Sequence, residues 1–228
     1  MVYQGGDDCL ALKPNSSMII AKNVTCYGGT GIAFGSIGQY KGQLDYIKDV
    51  HMENINLYPS RQHTQKNGLY FKSWMGYEIG TPPNGGGGGE GYAENITLKD
   101  VYMEDNIRPI YIQTEQVFLL CNAEEKLTNS LTYLLDKQHE GKDTGRFRWH
   151  DIHFSNITGT AKNNRVVWLD CSKAQPCWDL SFSDINVKPG KEEDEEINYV
   201  CNNVVMGGDD GLNGCHPSNS SHESTIFG

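Results

Sequence analysis

Lys48-Asp49-Val50-His51-Met52-Glu53-Asn54-Ile55-Asn56-Leu57 decides the fold. It reads as two short strands around a polar bend: Val50 and Met52 alternate with polar residues in one arm, Ile55 and Leu57 in the other, so each arm turns one side inward. Asn54 between the arms can bond its own backbone and tolerate a turn. The pattern returns as Glu94-Asn95-Ile96-Thr97-Leu98-Lys99-Asp100-Val101-Tyr102-Met103, as Asp151-Ile152-His153-Phe154-Ser155-Asn156-Ile157-Thr158, and as Asp179-Leu180-Ser181-Phe182-Ser183-Asp184-Ile185-Asn186-Val187. The steps between copies are unequal, and the longer ones leave room for an extra coil or an inserted loop. A unit that cannot bury its own apolar face but can stack on a copy of itself marks a solenoid. The expected fold is therefore all-β, a parallel β-helix, with residues 1–228 as one domain. A β-sandwich is the rival, but Asn-Gly or Asp-Gly hairpin signals are scarce, and Asn67-Gly68 precedes a strand rather than joining two.

Composition agrees. The 26 glycines and the many Asn, Ser, Thr and Asp residues favour turns and short strands over helices. A net charge of −10 supplies no basic face for a nucleic-acid backbone, and no apolar run is long enough to span a bilayer. An anionic glycan remains compatible, because a few local cations suffice to hold it. Insertions are expected at Thr81-Pro82-Pro83-Asn84 with its five following glycines, read as a flexible loop beside a groove, at the polar stretch Ala123 to Thr144, and at the acidic turn Glu192 to Glu196.

Seven cysteines at short separations, without a C-x-x-C pair or a Cys/His quartet, fit disulfides rather than a metal centre. Five N-x-S/T sequons, at Asn15, Asn23, Asn95, Asn156 and Asn219, agree with an oxidising, secretory compartment and mark glycosylation sites. Met1-Val2-Tyr3-Gln4-Gly5-Gly6 has neither a basic start nor an apolar run, so the sequence is expected to be part of a longer secreted protein. His150 and His153, three apart on a strand, would face opposite sides and are not read as metal ligands. Trp74 and Tyr77 read equally as a sugar-stacking platform or as loop anchors, and Asp209-Asp210 as a turn.

Three segments carry the chemistry. Gly5-Gly6-Asp7-Asp8-Cys9 sets adjacent carboxylates in a glycine-flanked stretch, able to divide proton donation and water activation in glycoside hydrolysis. Cys26 to Gly38 contains the turn Gly28-Gly29-Thr30-Gly31, and Asn67-Gly68-Leu69-Tyr70-Phe71-Lys72 follows. In that order and at those separations the segments resemble the G-D-D-C, C-x-G-G-H-G...G-S-x-G and N-G-x-R-I-K motifs of glycoside hydrolase family 28, the pectin-cutting polygalacturonases and rhamnogalacturonases. The resemblance covers nearly the whole chain. It implies a right-handed parallel β-helix with a groove along one face, and an inverting acid/base mechanism needing no cofactor and no metal.

By the same resemblance Asp7 would be the general acid and Asp8 one of the carboxylates that position water. Thr30, Tyr70 and Lys72 would bind substrate, with Phe71 packing inward. Disulfides would join Cys9 to Cys26, Cys171 to Cys177 and Cys201 to Cys215, leaving Cys121 over. Neighbours on a regular strand point to opposite sides, so Asp7 and Asp8 alone would not frame an inverting site without a bulge. The family places a further aspartate one coil earlier, which is not in this sequence, so the chain as written is expected to be the C-terminal portion of a pectinase-like domain. The alternative is a truncated, non-catalytic β-helix that at most binds carbohydrate.

Two positions depart from the family pattern: Thr30 stands for its histidine and Tyr70 for its arginine. Loss of the guanidinium favours a less acidic sugar at the cleavage subsite, as in rhamnogalacturonan. The long loops suggest exo action. The expected partner is a pectic polysaccharide, and the protein is expected to act extracellularly as a monomer.

Overall fold

The computed structural model describes residues 1–83, 85–116, 144–190, 196–205, 211, 212 and 215. Cys121, the acidic residues Glu192 to Glu195, Asp209-Asp210, the sequon at Asn219 and the insertion from Ala123 up to Asp143 lie outside them.

The described residues form thirteen strands and no helix. The odd-numbered strands are β1 (Val2–Gln4), β3 (Ser16–Tyr27), β5 (Leu44–Tyr58), β7 (Glu90–Asn106), β9 (Arg146–Ala161), β11 (Cys177–Pro189) and β13 (Val204–Val205). They make one sheet in sequence order. The even-numbered strands are β2 (Leu10–Leu12), β4 (Ile32–Ile37), β6 (Asn67–Trp74), β8 (Arg108–Gln116), β10 (Arg165–Asp170) and β12 (Asn198–Asn202), and they make the other. All pairings between named strands are parallel. A chain that visits two parallel sheets alternately, advancing one strand per visit, is a β-helix, and parallel crossovers of this kind are right-handed almost without exception.

Stacking of like on like follows from the register. Val24, Ile55, Val101, Ile157 and Ile185 form one column, and Met52, Leu98, Phe154 and Phe182 another. From the even sheet Ile32, Leu69, Ile110 and Val167 face the same interior, beside Phe34, Phe71, Ile112 and Leu169. Phe34 lies flat on Phe71 at 4.3 Å and Phe154 on Phe182 at 4.8 Å, so each coil closes the apolar face of the last.

The structure corrects the repeat in three respects. Each long odd strand bends twice, five residues apart, where the sequence suggested one bend. Asp49 and Asn54, Asn95 and Asp100, Asp151 and Asn156, Asp179 and Asp184 all have positive φ. Asn and Asp tolerate this conformation because their side chains bond locally, and here they also bond between coils: Asn95 Nδ2 donates to Asp49 Oδ1 (2.7 Å), Asn156 Nδ2 to Asp100 Oδ1 (2.7 Å) and Asn54 Nδ2 to Asn23 Oδ1 (2.6 Å). A further copy precedes those legible in sequence, with Met18 and Asn23 at the two bends; Met18 in place of an Asx residue hides it. Finally, of the two alternatives for the long steps, an extra coil is ruled out, because Ile55 pairs directly with Val101 and Val101 with Ile157.

The glycine run differs from expectation too. Gly85 to Gly89 is buried, with backbone bonds from Gly87 to Gln39, Gly88 to Met75 and Gly89 to Gly38. Its glycines admit close backbone approach rather than flexibility. Disulfides join Cys9–Cys26, Cys171–Cys177 and Cys201–Cys215. Among the described residues no helix is long and apolar enough to cross a membrane.

Candidate active site

Asp7 and Asp8 lie in the bend between β1 and β2, not on a strand, so strand alternation does not govern their directions. Gly29 (φ +95°) positions this bend from the next coil: a side chain there would collide with the Asp7 carbonyl, which accepts the Thr30 N–H at 3.1 Å. Cys9, disulfide-bonded to Cys26, anchors the segment on its other side.

The two carboxylates have different surroundings. One Asp8 oxygen accepts a short hydrogen bond from the Thr30 hydroxyl and the other receives the Lys72 ammonium at 3.2 Å. Both Asp8 and Lys72 side chains are only 13% exposed, which makes this the most enclosed Lys–Asp or Lys–Glu pair among the described residues. Asp7 is exposed; its Oδ1 accepts the Asp8 N–H at 2.8 Å, and its other oxygen has no protein partner among the described residues. One carboxylate is thus fixed and the other is free to exchange a proton with something outside the protein.

Thr30, from the turn between β3 and β4, and Tyr70 and Lys72, both on β6, gather at this bend from the next two coils. Tyr70 faces outward while Phe71, its neighbour on β6, is fully buried. The Tyr70 hydroxyl donates to Gln113 Oε1 at 2.6 Å, and Lys72 Nζ sits 4.9 Å from the ring centroid. Burial pushes the Tyr70 hydroxyl up to about 12, Arg108 opposing and Asp8 assisting, so it stays a donor at any physiological pH. Trp74 is buried at 2% exposure and cannot be a sugar platform; the loop-anchor reading is the one that fits.

Several residues escaped sequence reasoning. Lys13 Nζ donates to the Gly35 carbonyl at 2.8 Å. Its pKa is lowered by burial first and then by Lys72, against the pull of Asp8 and Asp7, which places it within reach of all three. Alternation along Leu10 to Lys13 could have shown it, since inward Leu12 sends Lys13 outward. His63 lies against Gly6, where a side chain would meet its ring, so an imidazole flanks the Asp7 bend although Thr30 holds the family's histidine position. Beyond Tyr70 the stack continues with Tyr111 (5.2 Å, 4° between planes), which is only 3% exposed beneath Arg108, and with the half-buried Trp168 (4.7 Å from Tyr111), over which Arg165 lies.

His150 and His153 stay apart. His150 stacks on Trp178, while His153 bonds Asp151 and Ser181. No cluster of three metal-ligating side chains exists among the described residues.

A fixed carboxylate beside a free one, in a bend that Lys72 reaches, is an arrangement suited to acid/base cleavage of a glycoside. Comparison with known proteins agrees on the family. The sequence matches Glycosyl hydrolases family 28 over residues 1–207. It is 43% identical over 198 residues to a protein of Aspergillus flavus and 39% identical over 219 residues to one of Aspergillus niger, both named "Putative galacturan 1,4-alpha-galacturonidase A". These matches cover 82% and 91% of this chain but 42% and 46% of the relatives, so the chain spans less than half their length. An alpha-L-rhamnosidase rgxB of Aspergillus niger is 32% identical over 199 residues, covering 87% of this chain and 42% of that protein. In fold, the chain superposes on an endo-xylogalacturonan hydrolase from Aspergillus tubingensis with a TM-score of 0.64 at 18% identity, over 97% of this chain and 50% of that one. By its sequence match and its relatives, the chain belongs to glycosyl hydrolase family 28.

Proposed function

We propose that the protein hydrolyses α-galacturonide bonds of pectin, releasing sugar from chain ends by an inverting acid/base mechanism. The observation that carries this reading is the unequal pair at the bend: Asp8 held by Thr30 and Lys72, Asp7 exposed with an oxygen free. Asp7 donates a proton to the leaving glycosidic oxygen. Asp8 orients the attacking water on the opposite side of the sugar ring. In an inverting site the acid and base stand apart by about 6.5–9.5 Å to admit that water. Galacturonan is favoured over rhamnogalacturonan because the two relatives reported first are named as galacturonidases and because Lys13, Lys72, Arg108 and Arg165 lie on the side of the bend in a chain of net charge −10. The rhamnosidase relative supports a second reading, removal of rhamnose, which Tyr70 in place of an arginine would suit.

The disulfides and the sequons fit action outside the cell. Asn15, Asn23, Asn95 and Asn156 are all exposed at positive-φ turns and are proposed to carry glycans. The test is digestion of trigalacturonate and of a rhamnogalacturonan oligomer in parallel. Release of single galacturonate residues is the expected result; release of rhamnose alone would favour the second reading, and inertness toward both would overturn hydrolysis.

A further inference from the structure

The family's pattern has an arginine where this chain has Tyr70, and the cations nearest the carboxylates are already engaged: Lys72 with Asp8, and Lys13 with the Gly35 carbonyl. One coil further along, the situation is different. Arg108 and Arg165 each stand two residues before an inward-facing member of the same column, Ile110 and Val167, and so occupy equivalent places on successive coils. Each guanidinium lies over the outward aromatic ring of its own strand, Arg108 at 5.1 Å from the Tyr111 centroid and Arg165 at 4.4 Å from that of Trp168. Neither makes an ion pair with a carboxylate among the described residues, and the Nε of each is buried without a hydrogen-bond partner. Half-buried guanidiniums without a carboxylate partner are suited to receive an anion from outside the protein.

Their position relates them to the bend. Tyr70 lies between, stacked on Tyr111 and held by Gln113, and its hydroxyl feels Arg108 and Asp8 together. The row Tyr70–Tyr111–Trp168 therefore runs from the carboxylates along the stacking direction of the coils, with one guanidinium at each of its two further steps. Successive parallel strands stand about 4.8 Å apart, close to the length of one pyranose residue, so a sugar chain laid along the row meets a new strand at each residue.

We propose that Arg108 and Arg165, which cover the Tyr111 and Trp168 rings, are specificity residues that receive the carboxylates of a polyuronate laid across their coils, supplying from neighbouring coils the guanidinium that Tyr70 does not. A guanidinium fixed on a ring face presents its fork of donors in one plane, which suits a planar carboxylate and not a hydroxymethyl group. This deepens the galacturonan reading above and rests on it for the identity of the sugar, but not for the binding itself.

The test is calorimetric titration of the protein with trigalacturonate and with the same oligosaccharide after reduction of its carboxyls to hydroxymethyl groups. The parent is expected to prefer the acidic oligomer by roughly tenfold or more. Arg108→Gln and Arg165→Gln are each expected to reduce that preference several-fold while leaving the neutral oligomer's affinity unchanged. If a glutamine variant fails to fold, Arg108→Lys and Arg165→Lys keep the charge without the fork and should lose part of the preference. A parent that binds both oligomers equally, or variants that keep the parental preference, would overturn the proposal. A protein that prefers the acidic oligomer without cleaving it would overturn hydrolysis and leave this assignment standing.

Discussion

The two sheets share one core and one chain, yet their outer faces are built on opposite plans. On the odd-numbered sheet polar side chains pair with one another: Asn54 with Asn23, Asn95 with Asp49, Asn156 with Asp100, Lys22 with Glu53 at 2.7 Å. The odd sheet carries aromatic stacks as well, Tyr27–Tyr58–Tyr102 among them, but it is the even-numbered sheet that sets an aromatic ring and a cation, Tyr70 and Lys72, beside the Asp7–Asp8 bend, with Arg108 and Arg165 further along and without a carboxylate partner among the described residues. The first face is internally satisfied and repeats from coil to coil. The second changes along one column, Ala33 giving way to Tyr70, Tyr111 and Trp168 in successive equivalent positions. The paired polar columns make a scaffold; the half-buried guanidiniums over the aromatic column are where charge remains for a ligand.

If that division is right, changes on the even side should separate activity from stability and changes on the odd side should not. Asp7→Asn is the extreme case: turnover of oligogalacturonate should fall by about 10²–10⁴-fold, with the unfolding midpoint unchanged because the side chain is exposed. Unchanged turnover would remove Asp7 as the general acid.

In the shared core, Phe154→Ala should cost about 3–5 kcal/mol in denaturant unfolding, since Phe154 is 1% exposed, stacks on Phe182 and meets Phe71 edge-on. Asn156→Ala should cost about 1–2 kcal/mol by leaving a β-carbon in a left-handed bend without its bond to Asp100, and Asn156→Gly should cost less. Equal losses for alanine and glycine would show that the bend's conformation does not matter.

The smallest effect is a pH dependence. His150 packs flat on Trp178 at 4.3 Å, and burial pushes its pKa below the ordinary 6.5, against Glu94 and Asp151. The folded state therefore holds the proton less tightly than the unfolded one. Its stabilising contribution is complete above 6.5 and is lost as pH falls below that toward the folded value. His150→Phe keeps the stack without the proton, so between about pH 7.5 and about pH 5 the parent should lose more stability than the variant. Parallel losses would contradict the burial of His150.

Much of this division was legible in the sequence, for a physical reason. Alternation in Val50/Met52 and Ile55/Leu57 is local, and a motif such as Gly5-Gly6-Asp7-Asp8-Cys9 is contiguous, so both can be read along the chain. The second bend was not legible because Asp49 and Asn95 look like ordinary strand-edge polar residues until neighbouring coils bond them. Met18 concealed a whole copy by occupying a bend without an Asx side chain. Lys13, His63, Arg108 and Arg165 lie on separate coils far apart in sequence, and only stacking brings them to the side of the bend. The glycine run misled because its composition fits a flexible loop equally well as a buried backbone crossing.

Whether the Asp7–Asp8 bend is the centre of an inverting glycosidase can be read from proton NMR of the first sugar released from trigalacturonate, observed before mutarotation. An inverting bend releases β-galacturonate from the α-linked substrate. Release of the α-anomer would contradict inversion, because retention requires a carboxylate nucleophile and a covalent intermediate that an exposed proton donor beside a fixed, lysine-paired aspartate does not provide.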